Sequence, residues 1–201
     1  REHSGVGVLP GTYKAVLSSA TVSNVVEIQV KTDPRIKTSI EGLKKQYEAS
    51  KQLEALTDLA AKAVAQLVES KATLKDYQQR IQKQDSVAYK TTIDKCKDAS
   101  KEISHLIDLF LGKEDKRQGI VRNPEQTVMT RISAARRYVY SRPNGITTTE
   151  EVLIQHANTA TKDAVEQVND FYKNNWEALQ KEVEAIELSA FKAVKYFEIT
   201  E

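Results

Sequence analysis

The sequence is poor in the residues that punctuate or cross-link a chain. It has one cysteine, one methionine and one tryptophan in 201 residues, with only seven glycines and four prolines. A single cysteine, Cys96, excludes an intramolecular disulfide and a cysteine-rich zinc site. Scarce glycine and proline argue against a large loop-rich or all-β domain. No charge of one sign dominates. Thirty basic residues against 28 acidic leave +2, so net charge does not point to nucleic acid or to an anionic membrane. No apolar run approaches the roughly 20 residues a membrane-crossing helix requires. No signal-peptide pattern follows Arg1, and the chain reads as a piece of a longer one.

What is present is a mixture of 40% hydrophobic and 29% charged residues, a balance that fits a soluble, mostly helical protein. Strand signals are confined to the beginning. Residues 12–17 ("TYKAVL") and 25–30 ("VVEIQV") are rich in β-formers. In the second run Val26, Ile28 and Val30 share one face and Glu27, Gln29 and Lys31 the other, as in a strand with one face buried. Pro10-Gly11 marks a turn before the first strand, and Pro34 closes the β segment. Tyr13, just inside a strand, has the placement of the corner tyrosine of immunoglobulin-like sandwiches. Two strands alone make no stable sheet in water. Either the helices cover this hairpin or it is the tail end of a further domain, and the second is the expectation.

Helix follows. "TSIE" is a capping box with Thr38 as cap and Glu41 as its partner, opening a helix that reaches about Gln84, roughly 65–70 Å at 1.5 Å per residue. A seven-residue rhythm places Leu53, Ala60, Leu67, Leu74 and Ile81 at one position and Leu56, Ala63 and Tyr77 three later, with Ser70 the exception. This is a coiled-coil-like seam. Asp85 or Ser86 caps a second helix carrying Ile93, Cys96, Ile103, Leu106, Ile107 and Phe110, which stops at Gly112. Asn123 as cap, with Pro124 and Gln126 behind it, predicts a third helix ending at "SRPNG". Thr148 with Glu151 makes a further box and opens a fourth through Val168 and Phe171, which Asn174-Asn175 either breaks or lets continue to Ile186. Residues 188–201 are expected to be extended.

Candidate chemistry is thin. Glu102 stands three residues before His105, half of a carboxylate-bridged metal motif, but Leu153 holds that place before His156. Cys96 lies at core spacing, where packing is the simpler role, although its flanking lysines would activate an exposed thiol. The pairs Glu150-Glu151 and Glu182 with Glu184 suit glycoside hydrolysis only formally. The first pair lies in a helical first turn, where negative charge suits the macrodipole, and the second points to different faces. No G-x-S-x-G, H-E-x-x-H or glycine-rich phosphate loop occurs. Between 113 and 142 eight basic residues stand against three acidic ones. Lys116, Arg117, Arg122, Arg131, Arg136 and Arg137 form a candidate patch for an anionic partner, against the plainer reading of a solvated helix face.

The stretches "PGTYKAVL" (Pro10 to Leu17) and "VKTDPRI" (Val30 to Ile36) resemble the C-terminal region of bacterial sortilin-like, BNR-repeat β-propeller proteins, often labelled glycosyl hydrolases. "QGIVRNPEQTVMTRISAARRYV" and "VNDFYKNNWEALQKEVEA" look like the same family's tail, so the resemblance spans most of the chain. It implies that the hairpin closes a small sandwich between propeller and helices. It also implies a secreted or envelope-associated parent, at the periplasm or outer-membrane surface. The propeller with its Asp-box repeats is absent, and any hydrolase activity would belong to it.

The expectation is therefore a mainly α chain: an antiparallel up-down bundle of about four helices, the first very long, preceded by the hairpin of an immunoglobulin-like sandwich. Its parts would be sandwich strands at 1–36, a bundle at 37–187 and a tail at 188–201. Its function would be that of a non-catalytic scaffolding module, without cofactor or metal. Its partners would be the propeller and sandwich of the parent and another envelope protein, met through the seam of the first helix or the basic patch. The alternatives are an accessory part of a glycoside hydrolase-like enzyme and a ligand-binding bundle.

Overall fold

The structure, a computed structural model, describes residues 5–113, 126–142 and 144–188. The described chain is mainly helical and opens with a two-stranded antiparallel hairpin, β1 (Gly11–Ser18) and β2 (Ser23–Val30). Four helices follow: α1 (Ile40–Asp85), α2 (Lys90–Leu111), α3 (Val128–Tyr140) and α4 (Thr148–Phe171). The fourth continues through a π-helical turn, Tyr172–Trp176, into α5 (Glu177–Glu184). Of the tail expected at 188–201, all but Leu188 lies outside the described residues, as do Asn123 and Pro124.

The chain divides into two units, one of Arg1–Lys62 with Phe110–Ala164 and the other of Ala63–Leu109 with Val165–Glu201. The first unit contains the hairpin. Its helical core comprises Leu53, Leu56 and Ala60 of α1, Phe110 of α2, Ile132, Ala135 and Val139 of α3, and Ile154 and Ala157 of α4. Gln46 ties α1 to the end of α3 by donating from Nε2 to the carbonyl of Val139 at 2.9 Å. The start of α1 meets the loop before α4 so closely that a Cβ on Gly42 would collide with the carbonyl of Asn144.

That close approach sets the helix start. Ser39, one residue later than expected, is the cap: its hydroxyl accepts from the Gly42 amide at 2.9 Å. A Thr38 cap would have put Glu41 where Gly42 now sits. α3 likewise begins later than expected. Thr127 caps it in a box with Thr130, and Gln126 precedes the helix. Gly112, with φ of 82°, terminates α2 as expected of a glycine beyond a helix end.

The second unit buries Leu67, Leu74 and Ile81 of α1, Ile93, Cys96 and Ile103 of α2, Phe171 of α4, and Leu179 and Val183 of α5. Ser70, the break in the apolar rhythm, is buried because its hydroxyl bonds the Tyr172 hydroxyl at 2.8 Å. The π turn has a similar cause. Tyr172 and Trp176 are both half-buried after buried Phe171, and the i→i+5 turn brings both rings to the same side as Phe171. The rings of Phe171, Tyr172 and Trp176 then pack with centroids 5.4–6.3 Å apart. Asn175 is left outward, where its amide donates to both oxygens of Glu102. The asparagine pair therefore does not break the helix.

The α1 seam expected to meet a partner is instead spent inside these two cores, because its apolar positions from Ala49 to Ile81, except half-buried Tyr77, are buried by the chain's own helices. We expect Leu53→Ala and Leu67→Ala to destabilise the chain by roughly 2–5 kcal/mol each. Leu59→Ala, on the exposed side of α1, should stay within about 0.5 kcal/mol. Urea unfolding followed by circular dichroism measures all three.

Candidate functional site: the open face of the hairpin

In the hairpin Tyr13 lies opposite Ile28, Ala15 opposite Val26 and Leu17 opposite Asn24. Cross-strand partners share a face and successive residues alternate, so one face carries Tyr13, Ala15, Leu17, Val26, Ile28 and Val30, with Asn24 at its tip end. The other carries Thr12, Lys14, Ser18, Ser23, Glu27 and Gln29, with Val16 opposite Val25 toward the tip. The hairpin is thus amphipathic, and its apolar face is bare. Leu17 is 79% exposed, Val26 57%, Ile28 48% and Tyr13 37%. The face expected to be buried has no cover among the described residues, where neither a further strand nor a helix lies over it. Fully burying a side chain of this size is worth about 1.5–3 kcal/mol. Several together rival the stability of a small domain.

The hairpin is held in shape despite this exposure. Its two-residue loop, Ala20-Thr21, is closed by Ser19 N–H donating to the Val22 carbonyl at 2.8 Å. Ahead of β1, the Tyr13 hydroxyl donates to the Leu9 carbonyl at 2.7 Å. After β2, the Asp-Pro-Arg segment locks into a turn. Asp33 accepts from the Arg35 amide at 2.9 Å, receives the Arg35 guanidinium at 2.7–3.3 Å, and its carbonyl accepts from Ile36 N–H. The Arg35 side chain and amide together hold the Asp33 carboxyl below its ordinary range. These bonds are all local to the segment between β2 and α1.

The other candidates have structural employment. In the basic patch Arg136 donates to Thr57 on α1 at 3.0 Å, and Arg137 lies 5.8 Å from the centre of the Tyr138 ring. Arg131 is half-buried on α3. Lys116, Arg117 and Arg122 lie outside the described residues. Cys96 is fully buried, and burial, then the charge of Glu182, pushes its thiol up, away from thiolate chemistry. Glu182 receives Lys95 at 2.6 Å and Thr92 at 2.7 Å, and Glu184 receives Gln180, so that pair divides between faces. No cluster of metal-ligating side chains occurs among the described residues. An apolar cleft in the second unit, lined by Leu74, Tyr77, Trp176, Leu179 and Val183, encloses about 180 Å³. That is below the several hundred Å³ of a small-molecule pocket.

Glu150, unlike its neighbour Glu151, is fully buried. It is the third residue after the true cap, Thr147, whose hydroxyl and amide donate to one carboxylate oxygen at 2.6 and 2.9 Å. The Arg142 guanidinium donates to the other at 3.1 Å. The expected box of Thr148 and Glu151 is therefore shifted by one residue, because only Glu150 faces Arg142. The Thr147 hydroxyl, then its amide, with Arg142 behind them, outweigh desolvation and hold the carboxyl at about 2.

Comparison with protein-family models, curated proteins and solved structures finds no match for this chain. The bare hairpin face is thus the feature from which function must be read.

A carboxyl held at about 2 against an ordinary 4.5 contributes stability above pH 4.5 that drains away as pH falls toward 2. We expect Glu150→Gln to be less stable than wild type at neutral pH and the gap to close across that window in acid-unfolding titrations. Thr147→Ala should cost roughly 0.5–2 kcal/mol at neutral pH.

Proposed function

We propose that this chain is a non-catalytic interaction module whose hairpin completes a β-sandwich and whose helices form the scaffold beside it. The observation that carries the reading is the bare apolar face of Tyr13, Leu17, Val26 and Ile28 on a ribbon whose turns are held by its own hydrogen bonds. An occupant with β geometry and an apolar inner face suits it best. A sheet packed on a sheet buries alternate residues of each strand and leaves the other face wet. This hairpin has that pattern, with Lys14, Glu27 and Gln29 on the wet side. The Tyr13 hydroxyl bonded to a backbone carbonyl four residues upstream is the arrangement of a sandwich tyrosine corner.

In the setting implied by the resemblance to sortilin-like, BNR-repeat β-propeller proteins, the module stands at the C-terminus of a secreted or envelope-associated parent. The sandwich lies between it and the propeller. Exposed cations of α3 such as Arg137 are then available to a further, acidic envelope partner. No step of bond-making or bond-breaking is assigned to this chain.

The test mixes the chain with the sandwich domain of such a propeller protein from which the last two strands have been deleted. Wild type should bind. Leu17→Lys combined with Ile28→Lys should weaken binding by tenfold or more, about 1.4 kcal/mol, while helical circular dichroism and the melting temperature stay unchanged. Binding indifferent to the double substitution, or no binding by wild type, would contradict the proposal.

A further inference from the structure

Seven asparagines occur in the chain, and Asn144 alone is followed by glycine. Asn144 is exposed, and Gly145 adopts φ of +105°, a region where side chains are strained. The Gly145 amide makes one bond in the turn, to the Arg142 carbonyl at 3.2 Å, at the long end of the useful range. No Cβ on Gly145 shields that nitrogen. The asparagines at 158, 169, 174 and 175 lie instead in α4 and the π turn, and Asn24 precedes a β-branched valine within β2. Asn123 precedes Pro124, whose nitrogen carries no proton to lose.

We propose that Asn144 is a site of spontaneous covalent modification that loosens the first unit. The Gly145 nitrogen gives up its proton to water and attacks the Asn144 side-chain amide carbon. A carbon–nitrogen bond forms, the side-chain carbon–nitrogen bond breaks, and ammonia leaves, closing a succinimide. Water then opens the ring. Attack at the former side-chain carbonyl yields aspartate with the main chain restored. Attack at the former main-chain carbonyl breaks its bond to Gly145 and yields isoaspartate. Each outcome consumes one water and releases one ammonia.

The second product matters because of where its new group falls. The main-chain carbonyl of Asn144 is the group packed against Gly42 in the first turn of α1, so tightly that no methyl would fit. In isoaspartate that carbonyl becomes a free carboxylate with an added oxygen, and the main chain gains a methylene at the same point. The loop between α3 and α4 must then withdraw from α1. It also carries Arg142 and Thr147, the partners of buried Glu150.

The experiment ages the intact folded chain in mildly alkaline buffer beside the same chain unfolded in urea, with Asn144→Gln as control. Peptide mapping by mass spectrometry and enzymatic methylation of isoaspartate provide the readout. The folded chain should acquire aspartate and isoaspartate at position 144 with its other asparagines intact. The aged protein should melt below equally aged Asn144→Gln. An amide retained at Asn144 in the folded chain, while the unfolded chain converts, would overturn the site. Conversion with an unchanged melting temperature would overturn the loosening.

Discussion

A two-stranded ribbon cannot cover its own apolar face. Every backbone group between β1 and β2 can find a partner, yet the side chains of Tyr13, Leu17, Val26 and Ile28 still face water, since pleating sends them all to one side. The helical part solves the same problem internally. The apolar stripe of α1, from Ala49 to Ile81, is buried except at half-buried Tyr77. The described residues thus combine helices that bury their apolar faces with a short hairpin that does not, and on the reading proposed above that hairpin is where a partner docks.

The polar details serve the helices. Ser70 reaches Tyr172, Glu150 reaches Thr147 and Arg142, and Glu182 reaches Lys95 and Thr92. Each is a charged or hydroxyl group at a position that would otherwise cost stability, and each is satisfied by a specific partner. The burial of Cys96 follows the same logic, with its thiol pushed up rather than activated.

Much of this was legible in the residues. The β alternation located both strands to within one or two positions, and the seven-residue rhythm of α1 named its buried side chains, because apolar periodicity is written locally. Helix starts were harder. Thr38 and Ser39 are equally able to cap, as are Thr147 and Thr148, and the choice was made elsewhere. Gly42 had to meet Asn144, and Glu150 had to meet Arg142. The π turn at Tyr172–Trp176 was hidden because an asparagine pair reads as a possible break until the chain is seen to continue. Periodicity could name the α1 seam as apolar without saying that this chain's own helices would bury it. The pattern of β2 promised a buried face without saying what would bury it, and that silence located the candidate site.

The central claim is that the hairpin is held locally and left uncovered by the described residues, while the helices bury one another's apolar faces. Hydrogen–deuterium exchange on the isolated chain tests it directly. Amides of Gly11–Ser18 and Ser23–Val30 should exchange far faster than those of α1 around Leu53 and Leu67. Protection of both strands equal to that of α1 would show the face already buried, and would contradict the account.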